Sequence, residues 1–168
     1  MKISSAAKIL VSLVLLATAV FLFIRLRPAR TEPDGDAYFY DLQEHKLFTA
    51  PRGSIPPIAG VKGGALAGVR AIVIATNGNP ADKPHLQIAY LEQYSPEIKQ
   101  LFEEVHQARA AGRSEEGRIN RREVVANTLV RRLGDTEWHA LNSPEGEKIA
   151  TEWNVPGPDG QTPVVCSP

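Results

Sequence analysis

Between Lys8 and Arg25 the chain runs for sixteen residues, ILVSLVLLATAVFLFI, without a charge, and only Ser12 and Thr18 interrupt it with polar side chains. A stretch with no polar face and basic residues at both ends suits lipid better than one side of a globular core. At ~1.5 Å per residue it makes about 24 Å of helix, against a hydrocarbon core of roughly 30 Å. Including Ile3–Ala7, and letting Lys8 and Arg25 snorkel to the interfaces, closes that gap. The sequence therefore predicts a short tail over 1–8 and a transmembrane helix over 9–25. The proline-rich, charged LRPARTEPDGDA of 26–37 then reads as a juxtamembrane linker. Ala17-Thr18-Ala19 also fits a small-x-small cleavage pattern, so cutting after Ala19 stands as the alternative to a retained anchor. Lys2 and Lys8 on one side nearly balance Arg25, Arg27 and Arg30 on the other; the short leading tail favours an inside N-terminus and an outside domain.

The formal charge of zero hides a split. Residues 33–168 hold 14 basic and 18 acidic side chains, a net of −4. A domain of that sign has no general attraction for a phosphate backbone, and two Trp and four Tyr are spread too thinly for a base-stacking platform. No nucleic-acid partner is expected. The single cysteine, Cys166, excludes both an intrachain disulfide and a multi-cysteine metal site.

Residues 38–168 read as one α+β domain, a small and mainly antiparallel sheet with hairpins and two packed helices. Tyr38, Tyr40 and Leu42 share one side of an extended strand, and Leu47–Ala50 can return beside them across 43–46. Residues 51–68 contain three prolines and five glycines, and Pro56-Pro57 can donate no ladder bond, so this stretch is a structured loop. Val69–Ala75 is apolar on both faces apart from Arg70 and is predicted to be central; His85–Leu91 is its partner strand. Ser95-Pro96-Glu97 and Ser143-Pro144-Glu145 are two helix starts, with Ser as N-cap and Pro at the first helical position. Behind the first, Ile98, Leu101, Phe102 and Val105 form one apolar face; the second helix is predicted to run to about Trp153, with Ile149 and Trp153, at i and i+4, burying together. Residues 128–141 suggest a second hairpin turning at 133–136, with a helix over 119–133 as the alternative. Pro158-Asp159-Gly160 marks a turn in the tail.

No grouping of residues declares a chemistry. His45, His85, His106 and His139 fall in different elements and form no His-x-x-x-His or HExxH unit, which leaves no metal set. Cys166 lacks an orienting base, and Ser54 and Ser143 lack the nucleophile elbow. Glu103-Glu104 and Glu115-Glu116 are sequence neighbours that do not converge across a cleft. The glycines at 60, 63 and 64 are followed by no Gly-Lys-Ser/Thr. The sequence thus assigns no catalytic, cofactor-binding or metal-binding residue, and no cofactor.

Tyr38–Ala50 (YFYDLQEHKLFTA), Ile55-Pro56-Pro57-Ile58, Gly68–Ala75 (GVRAIVIA), Ile88–Pro96 (IAYLEQYSP), Arg131–Ile149 (RRLGDTEWHALNSPEGEKI) and Pro163–Pro168 (PVVCSP) resemble a group of small proteins, mainly from planctomycete and related bacteria, that carry an N-terminal membrane helix. The resemblance implies one integral domain with hairpins at 38–50 and 128–141, and no substrate. Members often carry Cys within the stretch matching 75–79; its absence here argues against a redox or metal role.

Together these features predict a single-pass, signal-anchored protein of the inner membrane. Its partners would be the bilayer, through 9–25, and an envelope protein, and its periplasmic domain would serve protein interaction or structural support at the bacterial cell envelope. Two alternatives stand beside this. One is a small-ligand or lipid-headgroup sensor using Arg118, Arg121 and Arg122 of the charged stretch 113–122. The other is an enzyme with a site assembled from the glycine-rich loop, 77–85 and His139.

Overall fold

The computed structural model describes residues 16, 18, 35–113, 119–157 and 160–168. The chain divides into two units, Met1–Pro33 and Asp34–Pro168. In the first, only Leu16 and Thr18 are described, both helical and exposed.

In the second unit the alternating YFYDL segment forms strand β1 (Asp36–Asp41), which pairs antiparallel with β2 (Lys46–Pro51). Alternation sends Phe39 to one face, where it is fully buried, and Tyr38 and Tyr40 to the other. Asp41 organises the turn. Its carboxylate accepts the N–H groups of Gln43 (2.8 Å) and Glu44 (3.0 Å), and its second oxygen accepts that of Val61 (2.7 Å). The third bond ties the glycine-rich loop to the hairpin, so one buried carboxylate satisfies three backbone donors.

The apolar run becomes β3 (Gly68–Ala75), the central strand. Beyond a turn of 3₁₀ helix (Lys83–His85), β4 (Leu86–Tyr94) pairs with it, with one register shift between Ile72 and Val73. β5 (Thr128–Arg131), β6 (His139–Ala140) and β7 (Val164–Val165) complete a seven-stranded sheet of order β2-β1-β3-β4-β5-β6. β7 lies off this path. It pairs with Ile74 and Ala75, whereas β1 takes Gly68–Arg70, so two strands share one edge of β3.

The sheet has two faces of different character. Val69, Ala71, Val73, Ala75, Leu91 and Cys166 form the buried cluster of one, with Tyr38, Tyr40, Leu42 and Trp138 packed against it. On the other, Phe48, Phe39, Arg70, Glu92, Val130 and His139 stand in register across six strands. Helix α1 (Pro96–Ala110) lies over this second face, where the Phe102 and Tyr94 rings meet at 5.0 Å. Ser95 caps it and its hydroxyl also donates to Asn127 Oδ1 (3.2 Å), while Ile98, Val105 and Ala108 are buried. Helix α2 (Arg121–Ala126) is one short run before β5. Helix α3 (Pro144–Thr151) is capped by Ser143, with Ile149 fully buried. Arg132 clamps α3: it bonds both oxygens of Glu152 (2.5 and 2.8 Å) and reaches Glu145 (2.9 Å).

Several expectations are corrected. Among the described residues no helix is long and apolar enough to cross a membrane. The longest, α1, has 15 residues; that is about 22 Å, short of the roughly 30 Å required, and its outer side is charged. Apart from Leu16 and Thr18, the segment 9–25 lies outside the described residues, as do the tail 1–8 and most of the linker 26–37. The fold class is therefore corrected from a transmembrane helix plus a domain with two helices to an α+β domain that has, among the described residues, a seven-stranded sheet and three α-helices. With no span in the described structure, the bilayer and envelope partners, the signal-anchored single-pass designation, the inner-membrane and periplasmic location and the tethered function lose their basis and are withdrawn. The stretch 119–133 is helix and then strand, not one helix, and the hairpin expected over 128–141 is present, β5 pairing antiparallel with β6 across 132–138. Nothing in the tail's composition announced β7. The turn read at 158–160 lies outside the described residues except for Gly160.

Candidate functional site

Arg70 is the one charged residue in the central strand, and its position follows from the alternation that buries Val69 and Ala71 on the opposite face. Its guanidinium lies over the Phe39 ring, 5.5 Å from the centroid, and Nη2 donates to the carbonyls of Arg52 (2.8 Å) and Ser54 (3.1 Å). Those carbonyls belong to the loop that follows β2, so Arg70 holds that loop above the sheet. Its Nε is buried and has no hydrogen-bond partner among the described residues. An unsatisfied buried donor costs about 1–3 kcal/mol, and in a native fold it calls for a specific cause.

Above Arg70 the loop and α1 bound a cleft of about 270 Å³. One wall consists of Arg52 and Arg70 with His106 and Arg109 from α1. Its apolar wall consists of Ile55, Phe102, Val105 and Ile119, and Tyr94 brings a hydroxyl. Among the described residues no carboxylate lines it. Arg52 donates to Ser167 Oγ (2.7 Å) and to the Asp36 carbonyl (3.5 Å), again neutral oxygens. A second cleft of about 240 Å³, between β1 and β7 along the shared edge of β3, is lined by the same Arg52 and Arg70.

Beneath Arg70, across the β3–β4 ladder, stands Glu92. Burial pushes its carboxyl above the usual range, and the Arg70 charge offsets part of that rise. Tyr90 is pushed up to about 12 by burial and by Glu92, and Tyr94 is raised for the same two reasons, with Arg70 opposing. Of the three only Tyr94 lines the cleft, and a desolvated titratable group in a cleft is a physical signature of a functional site.

The residues considered from the sequence mostly scatter. His45 occupies the β1–β2 turn, with a φ of 51°. His85 pairs with Asp82 at 3.0 Å on the exposed 3₁₀ turn, and Asp82 also receives Asn77 Nδ2 (2.8 Å). His139 lies in the Glu92 row, six residues along β4 from Leu86. At ~3.3 Å per residue this is about 20 Å from the 77–85 turn, so those two groups form no common site. The glycine-rich loop sits at the Gly68 end of β3, with Ile58 bridged to Gly68, while 77–85 follows the Ala75 end. Arg121 and Arg122 are exposed on α2 and do not line the cleft; Arg118 lies outside the described residues. Cys166 is buried, its thiol 3.3 Å from the Val164 carbonyl, and Ser143 acts as a helix cap. Of these residues only His106 and Ser54 come to the cleft. Among the described residues no three His, Cys, Asp or Glu side chains gather as a metal set.

Arg52 and Arg109 drew no attention in the sequence because nothing local distinguishes them from surface cations. Arg70 did carry a signal, as the lone charge in an otherwise apolar central strand. No protein-family model matches the chain, and no curated protein and no solved structure is significantly similar to it. The site's chemistry rests on its own geometry.

Proposed function

We propose that the domain binds a small organic anion in the cleft between α1, the 52–55 loop and the β3–β4 face. One observation carries this reading: Arg52 and Arg70 line the same cleft, and among the described residues their hydrogen bonds go only to neutral oxygens. Two such guanidiniums favour an anion between them. The apolar wall sets the other half of the preference, since a free inorganic ion would leave Phe102 and Ile119 unused. The domain's net negative charge does not oppose this, because binding responds to the local field of a low-dielectric cleft rather than to the sum over the surface. The resemblance found in the sequence adds no substrate to this reading.

Isothermal titration of the full chain with benzoate and with the neutral analogue benzyl alcohol tests it. Benzoate should bind and benzyl alcohol should not, and Arg52→Gln should weaken the benzoate complex. Equal binding of both, or benzoate affinity indifferent to Arg52→Gln and to Arg70→Gln, would refute the cleft as an anion site.

A further inference from the structure

We propose that β2 is a docking edge for a second copy of this chain, through two-fold antiparallel pairing of residues 46–50. β2 is the last strand on its side of the sheet, and among the described residues it pairs only with β1. The hairpin register fixes which backbone groups are left over. Arg52 donates its N–H to the Gly35 carbonyl (3.0 Å), so along the antiparallel ladder Arg52, Ala50, Phe48 and Lys46 turn their backbone groups toward β1. Leu47, Thr49 and Pro51 turn theirs outward. Pro51 has no N–H, and its carbonyl accepts the N–H of Ser54 (2.9 Å). Leu47 and Thr49 thus hold two donors and two acceptors on the open edge, unbonded among the described residues.

That set is self-complementary in one register. With the two-fold axis at Phe48, Leu47 of each copy lies opposite Thr49 of the other, and four N–H···O bonds use every one of these groups on both strands. An axis at Leu47 or at Thr49 brings His45 (φ 51°) or Pro51 into the ladder and halves the bonds. Side chains agree with the first register. Lys46 faces Ala50 of the other copy, which leaves the two Lys46 residues ~13 Å apart along the strands, beyond a Debye length of about 8 Å. Leu47, 37% exposed, gains a neighbour on its own face. The features that block edge pairing lie at the ends of β2, Lys46 at its start and Pro51 at its close, and its register with β1 carries no bulge.

Symmetry also favours a second copy over a foreign strand. A peptide that adds to a sheet edge is selected by pockets for its alternate side chains. Neither the two clefts described above nor a third, of about 350 Å³ beside Lys99 and Leu129, is lined by any residue of β2. One short strand pair buries less than the roughly 1,000 Å² of a stable interface, so the dimer is reversible and forms at high concentration.

Sedimentation equilibrium of the full chain between about 0.01 and 1 mM tests this, and a reversible monomer–dimer equilibrium is expected. Thr49→Pro removes one outward N–H from each copy and no bond to β1, and should weaken the dimer about tenfold or more. Leu47→Lys with Thr49→Lys sets like charges opposite each other at both pairs and should abolish it; Leu47→Lys with Thr49→Glu sets opposite charges there and should restore it. Circular dichroism checks each fold; if Thr49→Pro does not fold, the two charge variants, both on exposed side chains, decide. A monomer across the whole range would overturn the proposal. So would self-association that Thr49→Pro leaves unchanged, or an equal response to the two charge variants, since either places the contact elsewhere.

Discussion

Gly60 lies against the carboxylate of Asp41 so closely that a Cβ at position 60 would overlap Oδ2. The contact exists because Oδ2 must reach the N–H of Val61, one residue further along the same loop. Gly60→Ala therefore cannot keep that bond, and its thermal midpoint should fall clearly below that of the parent protein. Asp41→Ala should also destabilise. The double variant should lose less than the two single losses combined, because removal of the carboxylate also removes the overlap. Full additivity in thermal denaturation would contradict this coupling.

The same carboxylate sets an acid limit. The N–H of Glu44, then those of Val61 and Gln43, hold Asp41 below the usual carboxylate range, with burial opposing. A depressed folded pKa contributes stability that is present above the unfolded value of about 3.9 and is lost as pH falls through the folded one. Asp41→Asn should thus be less stable than the parent at pH 7 by urea denaturation, and the gap should close as the pH is taken from about 4 to 2. A gap unchanged across that range would show that the three N–H bonds do not act through the charge.

Glu92 runs the other way. Burial raises its pKa even with Arg70 opposite, so its ionisation costs stability as pH rises above the unfolded value of about 4.3 and through the folded value. Glu92→Gln should melt higher than the parent near pH 8 and equally near pH 4. It should also bind benzoate more tightly, because one negative charge across the ladder from Arg70 is gone. A variant that melts lower at pH 8 would mean that attraction to Arg70 outweighs the burial.

The core of α3 offers a plain magnitude. Ile149 is fully buried under that helix, and Ile149→Ala should cost about 2–5 kcal/mol in urea denaturation. Ser143→Ala should cost about 1 kcal/mol, since Oγ accepts the Gly146 N–H at 3.1 Å. If the cap variant proves as costly as the core variant, the bond from Ser143 Oγ to the Ala140 carbonyl is the larger of its roles.

Both helix starts could be read from Ser-Pro-Glu because a cap and a first-turn proline act within four residues, and the structure places Ser95 and Ser143 in that role. The central strand was legible for a similar reason, since burial on both faces writes itself as an apolar run. The cleft was not legible. Arg52, Arg70 and Arg109 lie in a loop, a strand and a helix, and only the sheet register and the seating of α1 bring them together. β7 escaped because two valines in a proline- and glycine-rich tail have no period to detect. The membrane reading came from a segment almost entirely outside the described residues, so the strongest single pattern in the sequence has no counterpart in the described fold.

β7 has a consequence for synthesis. β3 is made early, yet part of its edge is completed by Val164 and Val165, about ninety residues later in the chain. While the ribosome works through the intervening segment, the backbone of residues 73–75 has no partner on that side, and Cys166 is not yet buried against Val73. A nascent chain arrested before Pro163 would carry a half-open central strand, the kind of edge a chaperone recognises and a neighbouring chain can invade. Burial of the Cys166 thiol then marks the moment at which that edge is sealed.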